Sequence, residues 1–269
     1  MRMVSRQWRR ILMAGVLGCC VAVGGAGVSM AATYTYSFTD SSGTHAATAV
    51  FKFDEGCFDE KSPGTLTIEL TNNSTAAVLS GADVLLGLFF STDVTLLPSG
   101  GSAVVPPGST AIGGTPPIDP GDGWQVKSGI SISNGSKTYN SGIAGAGYGV
   151  FGPDGNLGPN PLNLDGSDYG IVGKGPLNGN GSVKFPIFRN QVEFTIPYSG
   201  CFKILSDTVL FQYGTDLSEP SFPGTEINSV PEPTSFLLIA LGAGMLALQR
   251  SLRGKWMELH SEAALTAEG

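Results

Sequence analysis

Apolar and polar residues alternate with period two along much of this chain. Tyr34, Tyr36 and Phe38 alternate with Thr33, Thr35, Ser37 and Thr39. Leu66, Ile68 and Leu70 alternate with Thr65, Thr67 and Glu69, and Val192, Phe194 and Ile196 with Gln191, Glu193 and Thr195. Val209, Phe211 and Tyr213 form a further set. Such alternation predicts strands with one face on a core and one in water. Residues 84–90 are apolar at nearly every position, which predicts a central strand covered on both sides. Ile130-Ser131-Ile132-Ser133 followed by Asn134-Gly135 and residues 136–139 predicts a hairpin, with Asn-Gly supplying the positive φ of a two-residue turn. No interior segment carries a helical period with caps. The expected fold is all-β, a β-sandwich of about ten strands with long Gly/Pro-rich loops.

The middle is less regular. Residues 98–182 contain 22 Gly and 10 Pro, more breakers than packed domains carry. Trp124-Gln125-Val126-Lys127 and residues 148–151 read as short strands between loops that wrap one edge or face of the sandwich.

The two ends differ from the body. Arg2, Arg6, Arg9 and Arg10 precede an apolar stretch over residues 11–28, and Ser29-Met30-Ala31 offers small residues at the positions a signal peptidase reads. Residues 1–31 are therefore expected to be a signal peptide, helical in its apolar part and cleaved after Ala31. At the other end Val230-Pro231-Glu232-Pro233 precedes an apolar run over residues 236–248, and Arg250, Arg253 and Lys255 follow it. Cations after an apolar run hold its far end at the cytoplasmic face. The prolines keep the residues before the run extended. At 13 residues the run spans about 20 Å as a helix, shorter than the ~30 Å hydrocarbon core, so a short transmembrane helix needs snorkelling cations or local thinning. A simple C-terminal membrane anchor is the alternative.

This order of motif, apolar helix and basic cluster resembles the PEP-CTERM sorting signal of Gram-negative bacteria, over residues 230–255. The resemblance implies recognition by an exosortase, a membrane-embedded protease that would cut near Pro231-Glu232-Pro233. It also implies an inner-membrane precursor, exported by the Sec machinery and trimmed by signal peptidase, and a product at the cell surface or outside it. Residues 256–269 form a short tail beyond the usual end of such signals. The body, residues 32–229, is similar to a group within the exosortase-dependent surface proteins. The similarity lies in Leu66-Thr67-Ile68-Glu69-Leu70-Thr71-Asn72, Asp83-Val84-Leu85-Leu86-Gly87-Leu88-Phe89-Phe90, Gly149-Val150-Phe151-Gly152 and Phe211-Gln212-Tyr213-Gly214-Thr215. It implies a secreted β domain of bacteria that make exopolysaccharide and biofilm.

Charge narrows the partners. The chain carries 15 Lys+Arg against 22 Asp+Glu, a net charge of -7. The body alone holds 8 against 18, a net of -10. No cationic excess exists to displace phosphate counterions, so nucleic acid is not an expected partner. Once the signal is removed, Cys57 and Cys201 remain, each in a Gly-Cys-Phe sequence. In an oxidising compartment such a pair favours one disulfide, with two separately buried thiols as the alternative.

Candidate chemistry is sparse. His45 is the only body histidine, and no Gly-x-Ser-x-Gly accompanies it, so a Ser-His-Asp hydrolase is not expected. Asp119, Asp122, Asp154, Asn163, Asp165, Ser167 and Asp168 lie in Gly-rich loops and offer oxygen ligands of the kind Ca²⁺ takes, but also ordinary turn chemistry. Their spacing is not that of an EF-hand, and no metal or cofactor is expected. Trp124, Tyr139, Tyr148 and Tyr169 are candidate glycan contacts, since exposed rings stack on sugars; packing of a thin region is the competing role. The expected function is a non-enzymatic, exosortase-processed surface or matrix protein associated with exopolysaccharide. A carbohydrate-binding module is the alternative, and a secreted hydrolase with two carboxylates a more distant one.

Overall fold

Among the described residues, fifteen strands and two short 3-10 turns make up the architecture. The computed structural model describes residues 31–231 apart from 55, 153–154, 159–165, 180, 182 and 206–207. In chain order the strands begin with β1 (Ala31–Thr39), β2 (Ala46–Asp54), β3 (Cys57–Phe58), β4 (Gly64–Asn72) and β5 (Leu85–Phe90). Then come β6 (Thr95–Leu96), β7 (Ser102–Val104), β8 (Thr110–Ile112), β9 (Gln125–Asn134) and β10 (Lys137–Ala144). The last five are β11 (Ile171–Val172), β12 (Ile187–Arg189), β13 (Gln191–Cys201), β14 (Thr208–Tyr213) and β15 (Ser221–Pro231). The 3-10 turns are Gly81–Asp83 and Pro120–Gly123. The expected signal peptide up to Met30, the apolar run over 236–248 and the tail lie outside the described residues.

All fifteen strands belong to one sheet. Its long strands follow the order β13–β4–β2–β1–β15–β14–β5–β10–β9, each antiparallel to the next. Short strands β3, β6 and β7 add to β13, while β11, β12 and β8 continue from β5. The two ends of this order approach each other, because the Leu96 N–H of β6 donates to Ser128 Oγ of β9 at 3.0 Å. The sheet thus folds over one shared core, an all-β, sandwich-like form. Tyr36, Phe51, Ile68 and Phe194 enter that core from one half, and Leu88, Phe90, Ile143 and Phe211 from the other. Phe51 and Phe90 meet across it edge to face, with ring centroids 5.2 Å apart. Burying each such side chain contributes about 1.5–3 kcal/mol, so this core is the main stabilising element of the fold.

The alternating segments form strands where they were expected. β4 buries Leu66, Ile68 and Leu70 between half-exposed Thr67 and Glu69, and β13 buries Val192, Phe194, Ile196 and Tyr198 in the same way. Every residue of β5 is buried. It pairs with β14 on one edge and with β10 and β11 on the other.

Three local expectations are corrected. The hairpin turn is Gly135-Ser136, one residue later than expected, because Asn134 pairs with Lys137. Gly135, at φ 61°, takes the left-handed position that a side chain would strain. Residues 148–151 form a turn, with Tyr148 itself at φ 48°. The middle region also holds more structure than its breakers suggested, since β9 and β10 have 10 and 8 residues.

Two strands left no clear pattern in the sequence. The inward residues of β2 include Ala47 and Ala49, too small to stand out. β15 contains Pro223 and Gly224, yet lies centrally between β1 and β14. The Tyr213 N–H donates to Pro220 O at 2.9 Å. Alternation along the ladder then leaves Leu210–Pro223 a non-hydrogen-bonded pair. The nitrogen of Pro223 points away from β14, beyond the last β1 pair at Thr225, so no ladder bond is lost. A Cβ on Gly224 would collide with the Phe211 ring, so glycine here lets that ring lie across the strand.

Candidate functional site

At the end of the sheet where β1 begins, the inward alternation of β1 and β2 places Tyr34 beside Phe53. Their rings are parallel within 8°, with centroids 5.6 Å apart. Phe202, just past β13, packs on Phe53 at 4.4 Å and on Tyr198 at 5.2 Å. Cys57 and Cys201 are direct cross-strand partners in β3 and β13 and form a disulfide. These residues, with Gly56, Lys203 and Ile204, line a surface hollow of about 500 Å³. Phe53 and Phe202 are nearly buried, Tyr34 is half-buried and Lys203 is exposed. Among the described residues Lys203 forms no ion pair, and neither its ammonium nor the Tyr34 hydroxyl is hydrogen-bonded. The hollow adjoins the rung on which Ala32 pairs with both Phe53 and Pro231.

Two shallower depressions of about 490 and 450 Å³ share Val105 and Ile118. Together they form a groove along the β7–β8 region, with Asp119 and Asp122 at one end. Asp119 caps the 3-10 turn Pro120–Gly123, its Oδ1 accepting from the Gly121 N–H at 2.8 Å. That is the turn chemistry of an N-cap. Among the described residues no group of three or more His, Cys, Asp or Glu is placed to hold a metal ion. Asp154, Asn163 and Asp165 lie outside the described residues. Ser167 is buried, its Oγ accepting from the Lys184 N–H at 2.9 Å. Asp168 is half-buried.

The four aromatic residues considered as glycan contacts do not form a platform. Trp124 is wholly buried, donates from Nε1 to Tyr169 O at 2.7 Å and packs on Phe194. Tyr139 is buried 3.3 Å from Thr208 Oγ1, in a different apolar cluster. Tyr148 donates to Gly214 O at 2.9 Å and packs edge-on against Phe89. Tyr169 is half-buried against Phe188. Burial, and then the carboxylates of Asp122, Asp168 and Asp119, raise its phenol above the usual range. Trp124 and Tyr139, wholly buried, offer no ring face to a sugar, and the half-buried Tyr148 and Tyr169 pack against different partners. These residues pin the loops of the middle region to the sheet, the packing role that the sequence also allowed.

His45 is half-buried between two carboxylates. Its Nδ1 lies 3.2 Å from Asp40 Oδ2, and its Nε2 lies 3.4 Å from Asp83 Oδ1 at ion-pair geometry. The ring meets Tyr213 edge-on at 4.6 Å and stacks on Phe222 at 5.2 Å. Burial of Asp40 works to raise its pKa, but hydrogen bonds from Ser42, His45 and Thr44 outweigh it and hold the carboxyl below its ordinary value. Among the described residues no serine, threonine or cysteine is hydrogen-bonded to His45. The arrangement clamps the β1–β2 turn to the 3-10 turn before β5 and presents no nucleophile.

The expected processing residues lie at the edges of the described region. Ala31 opens β1 opposite Asp54, and Val230 and Pro231 close β15 opposite Thr33 and Ala32. Glu232, Pro233, Arg250, Arg253 and Lys255 lie outside it. Sequence reasoning missed the hollow, because Tyr34 read only as an apolar position of an alternating strand and nothing marked Phe53 or Lys203. The one available signal was Gly-Cys-Phe at both Cys57 and Cys201, each of which leads into an aromatic residue. No family model, no curated protein and no solved structure matches this chain.

Proposed function

We propose that this is an exported surface or matrix protein of a Gram-negative bacterium, processed by an exosortase and acting without catalysis. The observation that carries the reading is the order of sequence signals around the body. A cationic, apolar leader precedes it, and Val230-Pro231-Glu232-Pro233, an apolar run and Arg250, Arg253 and Lys255 follow it. The Cys57–Cys201 disulfide fits an oxidising compartment. An acidic body suits a protein that stays soluble beside anionic surfaces. Its partners in this reading are the Sec machinery, signal peptidase, the exosortase and, outside the cell, exopolysaccharide.

Intact mass spectrometry of the protein from the host surface and medium tests this, with and without the host's exosortase. The expected species begins at Ala32 and ends between Pro231 and Pro233, and depends on the exosortase. Extra mass on the new C-terminus would identify an attachment. A species retaining residues 236–269 in both strains would replace this reading with a simple membrane anchor.

A further inference from the structure

We propose that the hollow bounded by Tyr34, Phe53, Phe202 and Lys203 binds a pyranose ring that carries a carboxylate, a uronic-acid residue of an acidic polysaccharide. Its volume, about 500 Å³, falls in the range of roughly 300–1,000 Å³ typical of small-ligand sites. The apolar wall has the right chemistry for a sugar. The axial C–H groups of a pyranose make a flat apolar face, and Tyr34, stacked parallel with Phe53 on the same lining, offers a ring held in place. Among the described residues, two polar groups on the same lining have no partner, the Tyr34 hydroxyl and the Lys203 ammonium. A site of this type needs few such groups, provided that they fix orientation.

Charge selects the acidic sugar over the neutral one. The body carries 8 cations against 18 acidic residues, and several cations are already engaged. Lys52 pairs with Glu69. Lys127 donates to Val150 O and Lys137 to Thr208 Oγ1. Arg189 holds the carbonyls of Gly173 and Gly175. Lys203 is uncommitted, and no carboxylate accompanies it among the described lining residues. At close range it acts directly on a bound carboxylate, while salt screens charges beyond about 8–10 Å. An acyl chain would leave both polar groups unused, and a cationic ligand would meet Lys203.

The source of such a ligand rests on the reading of this protein as a surface or matrix component; the site itself does not. The test is calorimetry on the full chain in a non-ionic detergent, with trigalacturonate and neutral galactotriose as probes. Trigalacturonate is expected to bind at least tenfold more tightly. Lys203→Gln, at an exposed position, should bring it down to the neutral trimer's affinity without changing the melting temperature. Tyr34→Phe should weaken both sugars several-fold. Equal affinity for the two trimers, no binding of either, or indifference to Lys203→Gln would overturn the proposal. Binding to phosphatidylglycerol vesicles in place of the trimer would also overturn it and make the hollow a lipid contact. Each of these failures would leave exosortase processing, read by mass spectrometry, untouched. Uronate binding together with a host species that mass spectrometry finds still carrying residues 236–269 would retain the site and sink the sorting reading.

Discussion

The two halves of the sheet obey different rules. In β2, β4 and β13 one face is core and the other meets solvent, so buried residues alternate with half-exposed or exposed ones along each strand. In β5 and β14 every residue is buried. The second face of that half is covered by the turn around Tyr148 and Phe151, by the segment at Val78 and by Val183 and Ile187. Val78, Leu86, Ala146, Val183 and Ile187 form one cluster there, and Phe89, Ile130, Tyr139, Phe151 and Leu210 another. The comparison shows that this cover, to which the glycine-rich middle contributes the turn around Tyr148 and Phe151, is a further layer on this half. It keeps water from the back of a sheet whose front already faces a core.

The largest effect that tests this comparison is a pair of truncations. Phe89 of the covered half is fully buried in the outer cluster. Phe89→Ala removes an aromatic side chain from a packed layer and is expected to cost about 3–5 kcal/mol. Thr67 occupies the outward face of β4. Thr67→Ala should change stability by no more than about 0.5 kcal/mol. Urea unfolding of both variants decides the matter. A loss at Thr67 as large as that at Phe89 would mean that the outward face of the solvated half is covered in the assembled protein.

The same contrast explains what could be read from sequence. Alternation makes the solvated half legible, because water on one side forces Thr and Glu between Leu and Ile. β5 was legible for the opposite reason, a run with no polar face at all. β2 and β15 were not. Ala47 and Ala49 suffice as inward residues because large aromatics from neighbouring strands fill the core, and Pro223 is tolerated through a ladder geometry that no composition reveals. Of the candidate site, the cysteine pair was visible as a count of two. The hollow was not, because it depends on how Tyr34, Phe53 and Phe202 come together from segments far apart in the chain. Trp124 shows the converse. A lone large aromatic among glycines reads equally as a surface platform or as the anchor of a loop, and only the Nε1 bond to Tyr169 O distinguishes them.

A second test acts on the solvated half alone. The Cys57–Cys201 disulfide joins residues 144 apart in sequence and ties β3 to the end of β13. Replacing both cysteines with serine is expected to lower stability by about 2–5 kcal/mol, chiefly by freeing the unfolded chain. Reduction of the native protein should match the double variant in urea. If the double variant is as stable as the oxidised protein, the local packing of Phe58, Tyr198 and Phe202 holds this end together unaided.

The smallest effect is a dependence on alkaline pH, and it compares buried phenols in the two halves. Tyr198 of β13 donates to Asp54 O at 2.6 Å. Burial, and then the negative charge of Asp54, push its phenol from 10.0 up to about 12. Tyr148 in the covered half is raised well above 10.0, by burial first and Glu219 second. In both cases the folded protein holds a proton that the unfolded chain releases above pH 10. Each contribution is complete below that pH and declines as pH rises through the folded value. For Tyr198 the decline falls between about 10 and 12, and for Tyr148 it likewise begins above 10. Tyr198→Phe should therefore flatten the loss of stability between pH 10 and 12 at the expense of one hydrogen bond at neutral pH, about 0.5–1.5 kcal/mol. Urea midpoints measured from pH 8 to 12 read this out. An unchanged slope in Tyr198→Phe would mean that this end of the solvated half opens before its phenol ionises, and that the covered half alone resists base.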